Sequence, residues 1–155
     1  MIRRALFPGS FDPFTLGHHS IVQRTLAFMD EVVIAIGVNI HKQTFFPANA
    51  RLQMIQELYA GDSRVKVITY NALTVDIARE LDAPFIVRGV RSISDYEYEL
   101  HIADINKQVG GMETILLFTE PHLSCISSSA VRELLHYNRD VSPFVPEGLN
   151  IEKWK

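Results

Sequence analysis

Apolar residues along this chain follow two alternating rhythms. Short unbroken apolar runs alternate with longer stretches in which apolar residues return at helical spacing. The first rhythm predicts strands, the second amphipathic helices. Arg4 to Phe7 reads as a short first strand and Gly17 to Met29 as a helix, with Ile21, Val22, Leu26 and Met29 on its inner face. Val32 to Val38 (VVIAIGV) is a continuous, largely β-branched run, the composition of a parallel strand buried on both faces. Asn39 to Pro47 reads as a loop, Asn49 to Tyr59 as a helix with Leu52, Ile55 and Leu58 inward, Val65 to Tyr70 as a strand and Thr74 to Leu81 as a helix. Phe85 to Val87 predicts a fourth strand running into Arg88 and Gly89, Ser94 to Val109 a long charged helix, Thr114 to Phe118 a fifth strand, and Ser127 to Tyr137 a last helix. The tail after Asp140, with Pro143 and Pro146, reads as irregular. Strands alternating with helices imply right-handed βαβ units, hence a single-domain, doubly wound, five-stranded parallel sheet of α/β, Rossmann-like type over residues 1–155.

In such sheets ligands bind beyond the carboxyl ends of the strands, near the switch in strand order. The distinctive polar residues of this chain follow its strands. Ser10 follows the first, Lys42 the second, Thr74 the third, Arg88 and Arg91 the fourth, and the run Ser127-Ser128-Ser129 the fifth.

Composition narrows the partners. The chain has 155 residues, 47% of them hydrophobic and 21% charged, with a formal net charge of −3. That balance disfavours a general nucleic-acid binder but leaves room for a local cluster of cations around a phosphate ligand. No apolar run is long enough to span a bilayer, and Pro8 and Gly9 interrupt the early apolar stretch too soon for a signal peptide. The single cysteine, Cys125, excludes an internal disulfide, suits a cytoplasmic location and reads as a small packing residue. The six histidines show no metal-ligand spacing.

The chemistry concentrates in three segments. FPGSFDPFTLGH, Phe7 to His18, runs from a strand through a breaker-rich loop to a helix start, where free N–H groups and the helix dipole favour an anion. Gly17 lets a ligand approach the backbone, and His18 adds a donor, while His19 points elsewhere because adjacent helix positions lie about 100° apart. RGVR, Arg88 to Arg91, places two arginines around Gly89 and Val90, a pattern suited to clamping phosphate oxygens. Glu99, a turn into the following helix, is placed to accept from ribose hydroxyls or an amino group, whereas Asp95 reads as a first-turn acid favoured by the dipole. The three serines offer hydroxyl donors beside a helix N-terminus. Several anion contacts on one edge suggest a nucleoside triphosphate. Neither a P-loop motif nor GxGxxG is present.

The first segment resembles the GxFDPxTxGH signature of the nucleotidyltransferase superfamily. Together with Lys42, RGVRSISDYEYEL from Arg88 to Leu100, and ISSSAVRE from Ile126 to Glu133, the chain resembles the phosphopantetheine adenylyltransferase family over nearly its whole length. That resemblance implies transfer of an adenylyl group from ATP to 4′-phosphopantetheine, giving dephospho-CoA and pyrophosphate by in-line displacement. It places His18 at the α-phosphate, and Ser10 and Phe11 at the triphosphate loop. Ser10, Lys42 and Arg88 fall on the acceptor phosphate and Thr74 on the pantetheine arm. Gly89, Val90, Arg91, Glu99 and the run Leu123, Ser124, Cys125, Ile126, Ser127, Ser128, Ser129 surround ATP, with His18, Lys42 and Arg91 as the catalytic set. It also implies Mg²⁺ carried on ATP and a homohexamer. Leu123 stands where the family commonly has tryptophan, and Ala50 where it usually has glutamate. Two alternatives remain: another small-molecule nucleotidyltransferase, using CTP or a mononucleotide acceptor, or a non-catalytic nucleotide- or CoA-binding module.

Overall fold

The computed structural model describes all 155 residues. Its strands are β1 (Arg4–Gly9), β2 (Glu31–Gly37), β3 (Val65–Tyr70), β4 (Phe85–Val90) and β5 (Glu113–Phe118). The helices are α1 (Leu16–Thr25), α2 (Ala48–Leu58), α3 (Thr74–Glu80), α4 (Ile93–Gly110) and α5 (Ser128–His136). All strand pairs are parallel and the order is β3-β2-β1-β4-β5, the doubly wound sheet that the alternation predicts.

Strand periodicity assigns the two faces. Ala5 and Phe7 of β1, with Val32, Ile34 and Ile36 of β2, pack with residues of α1, α2 and α5. Leu6, Val33 and Ala35 point the other way, onto Val75 and Ala78 of α3. The long helix α4 closes against α3, where Gly110 lies so near Val75 that a Cβ would stand 2.6 Å from it.

Several boundaries differ from the pattern reading, each for a physical reason. Strand β1 runs on through Pro8 to Gly9. Proline is normally excluded from inner strands because it cannot donate. Here β1 pairs with β4 only at Ala5↔Phe85 and Leu6↔Ile86, then the two strands part, so no partner waits for a donor from Pro8. Strand β4 likewise continues through Arg88 and Gly89 to Val90, held by β5 at Arg88↔Leu116 and Val90↔Phe118. Helix α1 ends at Thr25 with Leu26 as its cap, and Met29 packs from the turn beyond. On α2 the fully buried positions are Ala50, Arg51, Met54 and Ile55, while Leu52 and Leu58 pack at the margin. The tail is not loose. It forms two short 3₁₀ turns and inserts Val141, Val145, Leu149 and Ile151 into the main core. Cys125 is exposed, not a packing residue.

The parting of β1 from β4 lies at the switch in strand order and opens a crevice over the carboxyl ends of the strands. The turn that follows β1 is tightly built. Phe11 sits in left-handed backbone (φ 50°) with its ring in T-shaped contact with Phe7, centroids 5.1 Å apart. A Cβ on Gly9 would stand 2.9 Å from that ring. Gly9→Ala should therefore displace the Phe11 ring and cost about 1–3 kcal/mol, the usual range for overpacking a close-packed site. Chemical denaturation with the slope held in common would measure the loss; an unchanged midpoint would contradict the packing argument.

Candidate active site

Two clefts open along the carboxyl edge of the sheet. The first, about 380 Å³, is walled by the β1–α1 turn, His18, Gly89, Arg91 and the start of α5. The second, about 700 Å³, lies over β2 and β3 and is lined by Lys42, Thr74 and one side of α4. They share Pro8, Gly9, Ser10, Arg88 and Tyr98. The molecule thus has two adjoining chambers with Ser10 and Arg88 at the threshold.

His18 occupies the N3 position of α1 in a capping box with Thr15. The Thr15 N–H donates to His18 Nδ1 at 3.0 Å, and the His18 N–H donates to Thr15 Oγ1 at 3.4 Å. A ring nitrogen that accepts from a backbone N–H carries no proton, so the neutral ring carries it on Nε2. Phe11 and Phe14 flank the half-buried ring at 5.0 and 5.4 Å between centroids, and the side chain lines the first cleft. Burial in this aromatic setting, with Arg88 and Arg91 nearby, pushes its pKa down to about 3. His18 is therefore a neutral donor at physiological pH. His19 turns away and hydrogen-bonds Tyr59 at 2.7 Å, as the angular spacing on a helix predicts.

Arg88 rises from the second half of β4 and spans the gap between the parted strands. It gives Nη1 to the Pro8 carbonyl and forks onto Glu99, Nε to Oε2 at 2.8 Å and Nη2 to Oε1 at 2.7 Å. Its side chain keeps 28% exposure, while Glu99 keeps 7%. Both Glu99 oxygens are engaged by Arg88 in this arrangement, so Glu99 orients the arginine where the sequence suggested an acceptor for ribose. Arg91 follows β4. Its N–H and Nε both reach Asp95 Oδ2, at 3.0 and 3.3 Å, and Nη1 lies 3.4 Å from the Ile126 carbonyl. Asp95 thus does more than complement a helix dipole: it aims Arg91 at the first cleft.

Lys42 stands on the exposed loop after β2 with Nζ 3.4 Å from Ser10 Oγ, which brings together two residues that the sequence separates widely. Thr74 opens α3 and shares a hydrogen bond with the Tyr70 hydroxyl at 3.0 Å in the second cleft.

The serine run is more occupied than its composition suggests. Ser127 is the N-cap of α5, and its Oγ accepts the Ala130 N–H at 3.1 Å. Ser128 donates to the Pro13 carbonyl at 2.8 Å, and Ser129 accepts from Arg132 at 3.1 Å. All three line the first cleft, but each hydroxyl already serves the protein. The N–H groups of the first turn of α5 are then the stronger anion ligands there. Phe11 lines the cleft with its ring core-packed, and Ile126 lines it too. Val90, Leu123, Ser124 and Cys125 do not contribute to that wall.

Three residues escaped the sequence reading. The buried Asp12 accepts the N–H groups of Phe45 and Phe46, each at 2.8 Å. Arg51 lies buried beneath Ser10, and Arg132 hydrogen-bonds the Asp12 carbonyl at 2.8 Å. A signal existed for Arg51, because it sits one helical turn before Ile55 on the inward stripe of α2.

The sequence–structure pattern corresponds to a known family. Residues 6–134 match the cytidylyltransferase-like family model, and the chain belongs to that family of nucleotidyltransferases. Among curated proteins, phosphopantetheine adenylyltransferase of Bacteroides fragilis is 59% identical over 97% of this chain and all of its own length. Its counterpart in Phocaeicola vulgatus is 60% identical with the same coverage, and that of Bacteroides thetaiotaomicron 57% over 97% of this chain and 99% of its own. These relatives bear out the resemblance drawn from the motifs.

The state of His18 has a measurable consequence. Its folded pKa, about 3, lies below the ordinary imidazole value of 6.5. The unfolded chain therefore takes up the proton first. The associated stability is complete above pH 6.5 and declines as the pH falls toward 3, with a slope limit of about 1.4 kcal/mol per pH unit. In the free enzyme, nitrogen-resolved NMR should show the Nε2–H tautomer down to pH 5. His18→Ala should lose less stability than the wild type between pH 6.5 and 4. A ring that titrates near 6.5 would contradict the neutral assignment.

Proposed function

We infer that the chain catalyses adenylyl transfer from ATP to 4′-phosphopantetheine, giving dephospho-CoA and pyrophosphate in coenzyme A synthesis. The observation that carries this reading is the pair of adjoining clefts joined at Ser10 and Arg88, with His18 facing the first and Lys42 the second. A nucleotide fits the first cleft, its α-phosphate beside His18. The acceptor fits the second, its phosphate between Lys42, Arg88 and Ser10 and its arm along Thr74.

In this arrangement an acceptor phosphate oxygen forms the new P–O bond at the α-phosphorus while the bond to the β-phosphate oxygen breaks. The nucleophile is already an anion, so no side chain need remove its proton. The protein contributes alignment and charge stabilisation. The Nε2–H of His18 donates to an α-phosphate oxygen as charge builds there, and loss of one such donor typically costs about 3–4 kcal/mol of barrier. Arg91 and the first-turn N–H groups of α5 receive the departing pyrophosphate, which takes the electron pair of the broken P–O bond.

The clefts contain no cluster of three His, Cys, Asp or Glu able to hold a metal. Asp12, Asp95 and Glu99 are each committed to protein donors. Mg²⁺ would therefore be held by the triphosphate oxygens and water, where it would neutralise charge, while Arg91 and the first-turn N–H groups of α5 hold the phosphates.

The reading also includes a cytoplasmic enzyme, in keeping with the use of ATP and a coenzyme A precursor as substrates. Assembly into a homohexamer is supported by α4, an 18-residue helix on which only Glu99 is buried. Its Ile93, Tyr96 and Leu100 lie outside both clefts and remain 79%, 42% and 44% exposed. Sedimentation at micromolar concentration should give a mass several times the 17.6 kDa chain; a monomer would reject assembly.

The decisive assay is pyrophosphate release. It should require both ATP and 4′-phosphopantetheine and fail with CTP or with glycerol 3-phosphate as acceptor. Lys42→Ala should weaken phosphopantetheine binding by at least tenfold, with a smaller change for ATP. Release of pyrophosphate with CTP, or a loss confined to ATP, would overturn the assignment of substrates to clefts.

A further inference from the structure

Arg51 is a charged residue that lines neither cleft yet lies 3% exposed inside the protein. A buried guanidinium is costly unless its donors are satisfied. Its hydrogen bonds go to two backbone carbonyls, Nη1 to Ser10 at 2.5 Å and Nε to Phe46 at 3.1 Å. Burial lowers its proton affinity and the Asp12 carboxylate opposes that effect. The two carbonyls belong to different loops. Ser10 is on the turn after β1, at the threshold between the clefts; Phe46 closes the loop that carries Lys42. Asp12 completes the bridge from the other side, taking the N–H groups of Phe45 and Phe46. Thr44 adds a hydrogen bond to the Phe46 carbonyl at 2.9 Å.

We propose that Arg51 is a positioning residue that sets the Lys42 loop in register with the phosphate loop, so that the acceptor phosphate lies in line with the α-phosphate beside His18. This inference rests on the adenylyl-transfer reading above. Lys42 itself has only one side-chain contact to the phosphate loop, the 3.4 Å approach to Ser10 Oγ, and its side chain is solvent-exposed. Neither that contact nor the loop's own backbone turn fixes the distance between the two phosphate subsites. The rigid fork of Arg51 does so together with the Asp12 carboxylate, because a planar guanidinium holds both carbonyls at once while Asp12 takes the N–H groups beside one of them. Lysine at that position keeps a positive charge but has no such fork. A misregister of about 1 Å between reacting groups typically costs about 100-fold in rate.

The test compares Arg51→Lys and Arg51→Gln with the wild type, measuring pyrophosphate release at saturating ATP and 4′-phosphopantetheine and the binding of each substrate alone. Wild-type turnover establishes the reaction first; its absence would reject the function and not the positioning role. The expected result is a fall of at least tenfold in kcat for both variants, with the Kd of ATP within threefold of wild type. A Lys variant with full kcat would show that charge alone suffices, and full kcat in both would remove Arg51 from the mechanism; either result overturns the proposal. A second measurement needs no variant. In wild-type protein the Arg51 Nε–H should be protected from exchange, and its NMR signal should shift when either phosphopantetheine or a non-hydrolysable ATP analogue binds. An unprotected signal, or one indifferent to both ligands, would equally overturn the proposal.

Discussion

The two-chamber site depends on the separation of β1 from β4. Their ladder stops after Leu6↔Ile86, although each strand continues to pair with its outer neighbour, Gly9↔Ile36 on one side and Val90↔Phe118 on the other. A split between two inner strands leaves polar backbone facing a gap, which is unfavourable unless another donor arrives. Pro8 removes one donor from that gap, and Arg88 supplies a donor to the carbonyl that remains. The same guanidinium then reaches Glu99 on α4. One side chain therefore ties β1, β4 and α4 together at the point where the clefts meet. An uncharged residue there would leave the Pro8 carbonyl and the buried Glu99 without their partner.

That arrangement explains why some of the molecule was legible in its sequence. Unbroken runs such as VVIAIGV identify β2, because a strand covered on both faces must be apolar at every position. The breaker-rich turn, Gly17 and His18 mark the first cleft because their order restricts the backbone as well as the composition. Less visible were features set by partners distant in the chain. The extension of β1 through Pro8 depends on where β4 stops pairing with it. The burial of the tail depends on a core formed by α1, α2 and α5. The role of Asp95 depends on the direction taken by Arg91 after β4. Arg51 sits on an apolar stripe, but only the approach of Ser10 and Phe46 shows what holds it there.

Each arginine facing the clefts is held in a fixed direction by the protein. Glu99 orients Arg88, Asp95 orients Arg91, and the Asp12 carbonyl and Ser129 hydroxyl orient Arg132. Such pairing weakens the net positive field, consistent with a chain whose overall charge is negative. It also lowers the entropy that each side chain loses when an anion arrives. The exposed pairs contribute little to folding stability, since solvent screens them. Their effect falls on direction, where in-line phosphoryl chemistry is most demanding.

His18 completes this division between binding and rate. Burial against the aromatic wall disfavours its protonation most, and Arg88 and Arg91 act in the same direction. A cationic imidazole would attract the ground-state triphosphate as strongly as any arginine. A neutral donor responds less to total charge and more to the extra charge on the oxygen it touches. On the proposed reaction that oxygen belongs to the α-phosphate, where charge is redistributed as the bond to pyrophosphate breaks. An interaction that strengthens between ground and transition state raises turnover, while one that is equal in both tightens binding alone. On that reaction the surrounding cations hold the polyanion, and their field adds to burial in keeping His18 in the form that discriminates between the two states.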